Sequence, residues 1–235
     1  MRTLSAVVYD IKFQIRHGFY YAYAFVSVLY IIFLRLMPAD TRSYLSILIL
    51  LTDPTVLGFF FIGGIVLLEK DQRIFSSLFV TPLKVGEYIT AKLVSLTLLS
   101  LLSSAAIAFF SAPGSFDPLL LFMAIAPSSV FFTLAGIALA VRVKSINGYI
   151  IASPFFLTPF ILPLFGFLKL FSFPIYVLLP GHGTLQLLAG AYNGISFADA
   201  LYSIMLLLVW DILAYIWAGR WFKKYIIAGI GGGSI

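Results

Sequence analysis

Six runs of mostly apolar residues dominate this chain, at roughly 19–37, 44–68, 92–112, 119–141, 147–168 and 200–219. A helix needs about 20 such residues to cross a hydrocarbon core about 30 Å thick. The runs fill most of the 235 residues and leave little chain for a separate soluble domain. Only 10% of the residues are charged, where soluble domains carry about 25%. The expected fold is an all-α integral membrane protein with six transmembrane helices. A single transmembrane domain of residues 1–235 is expected: an amphipathic segment over 1–18, a six-span bundle over 19–219 and a cytoplasmic tail over 220–235.

Charge fixes the expected orientation. Six spans put both termini on one side, together with Arg2, Lys12, Arg16, Lys70, Arg73, Lys84, Lys92, Arg142, Lys144, Arg220, Lys223 and Lys224. Those are 12 of the 15 basic residues, and Arg35, Arg42 and Lys169 remain opposite. Cytoplasmic loops carry the Lys/Arg excess, so both ends are expected in the cytoplasm, with the protein in the cell membrane. The net charge of +6 forms no contiguous basic patch interleaved with aromatics, so no nucleic-acid partner is expected. Cysteine is absent, which excludes disulfides and thiol chemistry. The first apolar run starts only at Phe19, after a charged segment too long and mixed for a signal n-region, and no signal peptide is expected.

Irregularities within the runs carry more detail. Over residues 4–17, Leu4, Val7, Val8, Ile11 and Ile15 repeat at helical spacing, while Asp10, Lys12, Gln14 and Arg16 fall elsewhere. This predicts an amphipathic helix lying in the plane of the membrane surface. In the second run, Asp53-Pro54 has the form of a helix cap followed by the first helical residue. A helix from Pro54 to Leu68 would be only about 22 Å long, so a span from about Tyr44, kinked at Asp53, is expected. Gly58, Gly63 and Gly64 there allow close packing. The fifth run carries Pro154, Pro159 and Pro163, each removing a backbone hydrogen bond, and breaks there need neighbours or a cavity to satisfy the freed carbonyls. Residues 169–199 stay apolar, but Pro174, Pro180, Gly181 and Gly183 cut them too short to span. Two short re-entrant helices on the outer side are expected between spans five and six.

Chemistry-bearing residues are sparse. His17 and His182 have no Cys, Asp or Glu at ligand spacing, and no paired acids suit a diphosphate-bound metal. No GxxxxGK[ST] loop exists, so this chain is not expected to bind ATP through one, and no cofactor of its own is expected. Asp53 and Asp211 fall inside spans, where an ionised Asp costs roughly 2.5–3.5 kcal/mol on insertion scales. They are candidates for a substrate path, with a capping role as the alternative for Asp53.

One polar island interrupts the apolar pattern: "LEKDQRIFSSLFVTPLKVGEYITAK", which holds Glu69, Lys70, Asp71, Arg73, Lys84, Glu87 and Lys92. Over 70–80, Ile74, Phe75, Leu78 and Phe79 lie to one side and polar residues to the other, and Pro82 then ends the pattern. A short amphipathic helix between spans two and three is expected. Charged residues, a helix with paired large apolars, Thr-Pro-Leu, an acid and a Lys at the next span together resemble type-2 ABC exporter permeases. The matching residues are Glu69, Asp71, Phe75, Leu78, Phe79, Thr81, Pro82, Leu83, Glu87 and Lys92. The usual Gly-Thr-Leu-Glu of that family is replaced by Arg73-Ile74-Phe75-Ser76, and Ala91 stands where Gly often precedes the Lys.

The resemblance implies a transport subunit that is not itself an enzyme. Separate ATP-binding cassette subunits would carry ATP and Mg²⁺ and dock on the cytoplasmic side, and a second copy or a sister permease would complete the path. The island would be the coupling helix, with Glu69, Asp71, Arg73, Phe75, Leu78, Phe79, Thr81 and Pro82 contacting or aligning the ATPase. Kinked spans two and five would line the substrate path where two permeases meet, at Gly58, Phe59, Pro154, Phe156 and Pro159. A proton-driven carrier using Asp53 and Asp211, or a passive scaffold, is the alternative. A carrier more often shows paired inverted repeats, and none is visible here.

Overall fold

In the computed structural model the described residues are 2–78, 84–111, 116–171 and 173–228, and they form helices without strands. The elements are α1 (Arg2–Arg16), α2 (Phe19–Leu36), α3 (Ala39–Thr52), α4 (Pro54–Asp71), α5 (Ile74–Leu78), α6 (Val85–Ser111), α7 (Pro118–Arg142), α8 (Ile146–Ile161), α9 (Pro163–Phe167), a 3₁₀ turn (Pro174–Leu178), α10 (Pro180–Asn193) and α11 (Phe197–Phe222), the last running into a π turn at Lys223–Ile227. Five stretches among them are long and apolar enough to cross a membrane: α2, α3 with α4, α6, α7 and α11. The expected fifth run is different. α8 has 16 residues, about 24 Å, and the chain continues into α9 only after a break at Leu162-Pro163. Pro154 and Pro159 sit inside α8, and the Thr158 hydroxyl takes the Pro154 carbonyl at 2.6 Å.

The second run is kinked at Asp53, as its Asp-Pro pair predicts, but the expected cap is not made. The Asp53 side chain bonds no backbone amide of α4. Pro54 has no N–H for the Leu50 carbonyl one turn back. The Thr55 hydroxyl supplies the missing donor, 2.6 Å from that oxygen. Repair by a neighbouring hydroxyl lets a proline break persist in an apolar surrounding.

α7 is the most enclosed of the span-length helices, and α4 lies along it. Asp117 starts α7 by accepting from the Leu119 and Leu120 amides through Oδ1, with Pro118 at the first helical position. The α4–α7 approach depends on small residues. A Cβ on Gly58 would stand 2.0 Å from Thr133 Oγ1, and one on Gly136 would meet the Phe59 carbonyl oxygen at 2.7 Å. Gly136→Ala is therefore expected to force the two helices apart and to destabilise the protein by about 1–3 kcal/mol, read as a fall in melting temperature in detergent. A Cβ on Gly64 would meet only open space, and Gly64→Ala should melt like the parent.

The segment before α11 holds two short helical pieces, the second of them packed into the bundle. A five-residue 3₁₀ turn leads to α10, whose Gly181, Gly183, Leu187 and Leu188 are buried against neighbouring elements. Gly181 lets α10 approach the Phe160 carbonyl, and Thr184 shares a 2.6 Å hydrogen bond with Ser128 of α7. The Asp117 amide donates to the Ala191 carbonyl at 2.8 Å, fastening α10 to the start of α7. The same end of the bundle holds Arg35, whose Nε donates to the Phe110 carbonyl, and Arg42, which donates to the Met37 carbonyl. The minority basic residues thus gather opposite the end where α4 leaves the bundle.

Candidate functional site

α1 turns its polar side inward. Asp10 and Gln14, one helical turn apart, are buried, whereas Leu4 is 69% exposed and Val8 and Ile15 are exposed as well. An apolar stripe facing outward suits a helix lying at a lipid interface. α6 presents Tyr88, Lys92 and Ser95 at i, i+4 and i+7, which places them on one face towards α1 and the end of α4.

These elements meet around Lys92, which is 5% exposed. Its ammonium donates to Asp10 Oδ1 and, at 2.9 Å, to Glu69 Oε1. Tyr88 donates its hydroxyl proton to the other Glu69 oxygen, and Ser95 donates to Asp10 Oδ2. Gln14 Nε2 donates to Asp10 Oδ2 at 3.0 Å and to Ser95 Oγ at 2.8 Å. Two carboxylates thus share one ammonium away from water. Buried charge is tolerable only where it is paired and its remaining lone pairs are filled, which Tyr88, Ser95 and Gln14 accomplish here. Three separate elements, α1, α4 and α6, are tied at one point.

An aromatic cluster continues from this point. The Tyr88 ring meets Phe75 of α5 edge-on at 5.8 Å, and Phe75 meets Phe222 of α11 at 5.5 Å. Phe75 is 3% exposed. The chain enters α5 through a tight reversal: the Arg73 amide donates to the Lys70 carbonyl, and Arg73 adopts φ 55°, a conformation more usual for glycine or asparagine. Lys70 reaches the last carbonyls of α7 through Val143 at 3.1 Å, and the Arg142 guanidinium lies 4.7 Å over Trp221.

The expected coupling helix over 70–80 is therefore divided. Lys70 and Asp71 finish α4, and α5 holds Ile74–Leu78. Glu69 faces inward within the ion network, Phe75 is packed inside, and Asp71, Gln72, Arg73 and Ser76 are exposed. The Leu78 side chain and residues Phe79, Thr81 and Pro82 lie outside the described residues. Among the expected path residues, Gly58 and Phe59 are buried against α7. Phe156 stacks on Trp217 of α11 at 5.5 Å and lies 6.2 Å from the Phe59 ring. Pro154 and Pro159 sit on the outward face of α8 beside Phe155, which is 81% exposed. Asp53 stands beside the Tyr23 and Tyr30 hydroxyls, and Asp211 keeps its Oδ1 buried with no hydrogen bond. These residues do not converge on one chamber in the protomer. In the sequence Asp10 and Gln14 read only as polar positions of an amphipathic helix, and Tyr88, Ser95 and Phe222 are not singled out. The available signal was a polar stripe at helical spacing on two otherwise apolar helices.

No group of three or more His, Cys, Asp or Glu suited to a metal ion occurs among the described residues. A multi-pass helical bundle with a buried ion network and a short helix between two spans is the architecture of an integral membrane protein. The model of the fluoroquinolones export permease protein family matches residues 1–230, and the chain belongs to that family. Fluoroquinolones export permease proteins of Mycobacterium tuberculosis strains CDC 1551 / Oshkosh and ATCC 25618 / H37Rv are each 28% identical to it over 198 residues, which is 84% of this chain and 84% of theirs. The chain is an export permease, in agreement with the resemblance to ABC exporter permeases carried by the polar island.

Proposed function

We propose that this chain is the membrane-spanning subunit of an ABC-type exporter, working as a pair with a second copy or a sister permease and with separate ATP-binding subunits on the cytoplasmic side. The observation that carries the reading is the mounting of α5. It leaves α4 through the reversal at Arg73, next to the exposed Asp71, Gln72 and Arg73, exposes Ser76, and is anchored through Phe75 to α6 and α11. A short helix exposed on one side and rigidly held on the other can pass a push from a soluble partner to three helices together. The exposed Asp71 and Arg73 would orient the ATPase, since surface charge at an interface governs encounter and register more than affinity. Both termini and α5 then face the cytoplasm. ATP and Mg²⁺ would reside on the partner. The cargo class follows from the relatives' names: amphiphilic aromatic compounds such as fluoroquinolones.

Co-expression with the ATPase encoded in a neighbouring reading frame tests this. The permease should pull down the ATPase, the pure permease should hydrolyse no ATP, and inside-out vesicles should accumulate a fluoroquinolone only with ATP. Export driven by a proton gradient without ATP, or turnover by the permease alone, would refute the assignment.

A further inference from the structure

Two connected hollows open where α6 begins and α11 ends. One, of about 780 Å³, is lined by Lys84, Glu87 and Thr90, by Thr3 of α1 and by Lys223. The other, of about 230 Å³, runs down between α6 and α11 past Ile89, Tyr215, Ile216, Gly219 and Arg220. Val85, Gly86 and Lys223 line both, so the two form one groove. Lys84, Arg220 and Lys223 are exposed, and none of them joins an ion pair among the described residues. Glu87, the acid in the lining, accepts the Lys84 amide at 2.8 Å. Three cations therefore stand around one acid. α11 changes character along the face it turns to the groove. Ile212 and Ile216 are apolar and exposed, and Gly219, Arg220 and Lys223 follow at helical spacing. A Cβ on Gly219 would meet nothing within 4 Å, so the space beside that face is open. Tyr215, Trp217 and Trp221 in the last two turns make the aromatic belt typical of a membrane–water boundary.

We propose that this groove holds an anionic phospholipid, its phosphate among Lys84, Arg220 and Lys223 and one acyl chain along Ile216 and Ile212. Basic pockets between membrane helices take such headgroups because cations gathered in one place repel each other until an anion joins them. An acidic patch on a soluble partner would meet the same charges, but it could not follow the groove to Ile216, which belongs to the apolar part of the span. A zwitterionic lipid would match the shape, yet its own amine would offset the attraction. The occupant that satisfies both ends of the groove is an amphiphile with net negative charge and an acyl chain. The inference needs the chain in a bilayer and does not draw on its coupling to an ATPase.

All three tryptophans of the chain, Trp210, Trp217 and Trp221, lie on α11, so their fluorescence is the readout. The purified permease, without any ATPase, is reconstituted in phosphatidylcholine bilayers with rising fractions of brominated phosphatidylglycerol, whose bromines quench nearby indoles. Brominated phosphatidylcholine gives the reference. The parent should favour phosphatidylglycerol at least about tenfold. Lys84→Gln together with Lys223→Gln should remove most of that preference, at about fivefold per cation. Both positions are exposed, so the melting temperature should stay with the parent. Lys144→Gln, at an exposed cation outside the groove lining, should keep the preference. Gly219→Leu, which fills the groove without removing a charge, should lose it. An undiminished preference in the double variant would overturn the proposal. The same result in Gly219→Leu would do so too, by showing only a general attraction to a negative surface. Equal quenching of the parent by the two lipids would also overturn it, and if the double variant then failed to hold the ATPase, the groove would belong to the soluble partner.

Discussion

Replacing Lys92 with methionine will destabilise the protein by about 3–5 kcal/mol, because it strands two buried carboxylates with no counter-charge. Asp10 and Glu69 both accept from that single ammonium, and Tyr88, Ser95 and Gln14 donate to the same two carboxylates. Thermal unfolding in detergent should show the loss directly. The triple variant Asp10→Asn, Glu69→Gln, Lys92→Met removes all three charges and should recover much of the stability, since neutral replacement of a buried ion group is often tolerated. It should not recover coupling. Without the ion network α1 and the end of α4 are no longer tied to α6, and ATP-driven export should stay low while the melting temperature rises. A Lys92→Met protein that melts with the parent would show that the charges are not buried together.

Phe75→Ala has the second largest expected effect. Deleting a fully packed phenylalanine costs about 3–5 kcal/mol where the neighbours cannot collapse into the space. Here the neighbours are Tyr88 and Phe222, each held on a long helix, so collapse is restricted. The cost falls on α5, which is too short to hold itself: five residues make barely one turn, and helices below about 12 residues depend on tertiary contacts. The bundle should still insert, while co-purification of the ATPase falls at least tenfold, about 1.4 kcal/mol. Asp71→Ala and Arg73→Ala make the informative contrast. Both side chains are exposed, so stability should move by no more than about 0.5 kcal/mol, whereas the association rate with the ATPase and its salt dependence should change. If Phe75→Ala binds and exports normally, α5 is a loop ornament and coupling runs elsewhere.

Much of the architecture could be read from the residues alone, because a bilayer leaves few choices. Backbone in hydrocarbon must satisfy itself, so an apolar run of about 20 residues can only be a helix, and α2, α7 and α11 lie close to their expected limits, while α6 starts ahead of its apolar run, at Val85. The kink at Asp53 and the interruption at Pro163 followed in the same way from missing N–H donors. The amphipathic period over residues 4–17 marked α1, and the polar island marked the segment that became the end of α4 and α5. Local chemistry fixed these features, and local chemistry is what a sequence displays. Which side chains would meet was decided by packing. Asp10 and Lys92 are 82 residues apart, and nothing in either helix announces the other. Their pairing exists because α1 folds back across α6 with its polar side inward. Glu69 and Phe75 read as docking residues from their position in the island; packing puts Glu69 in the ion network from within α4 and Phe75, after the reversal at Arg73, in the aromatic cluster. Gly58 read as a surface for a second helix; it proved to be one, but for α7 of the same chain, because only a residue without Cβ can stand where Thr133 approaches so closely. Periodicity states that a face will be covered, and only the tertiary structure states by what.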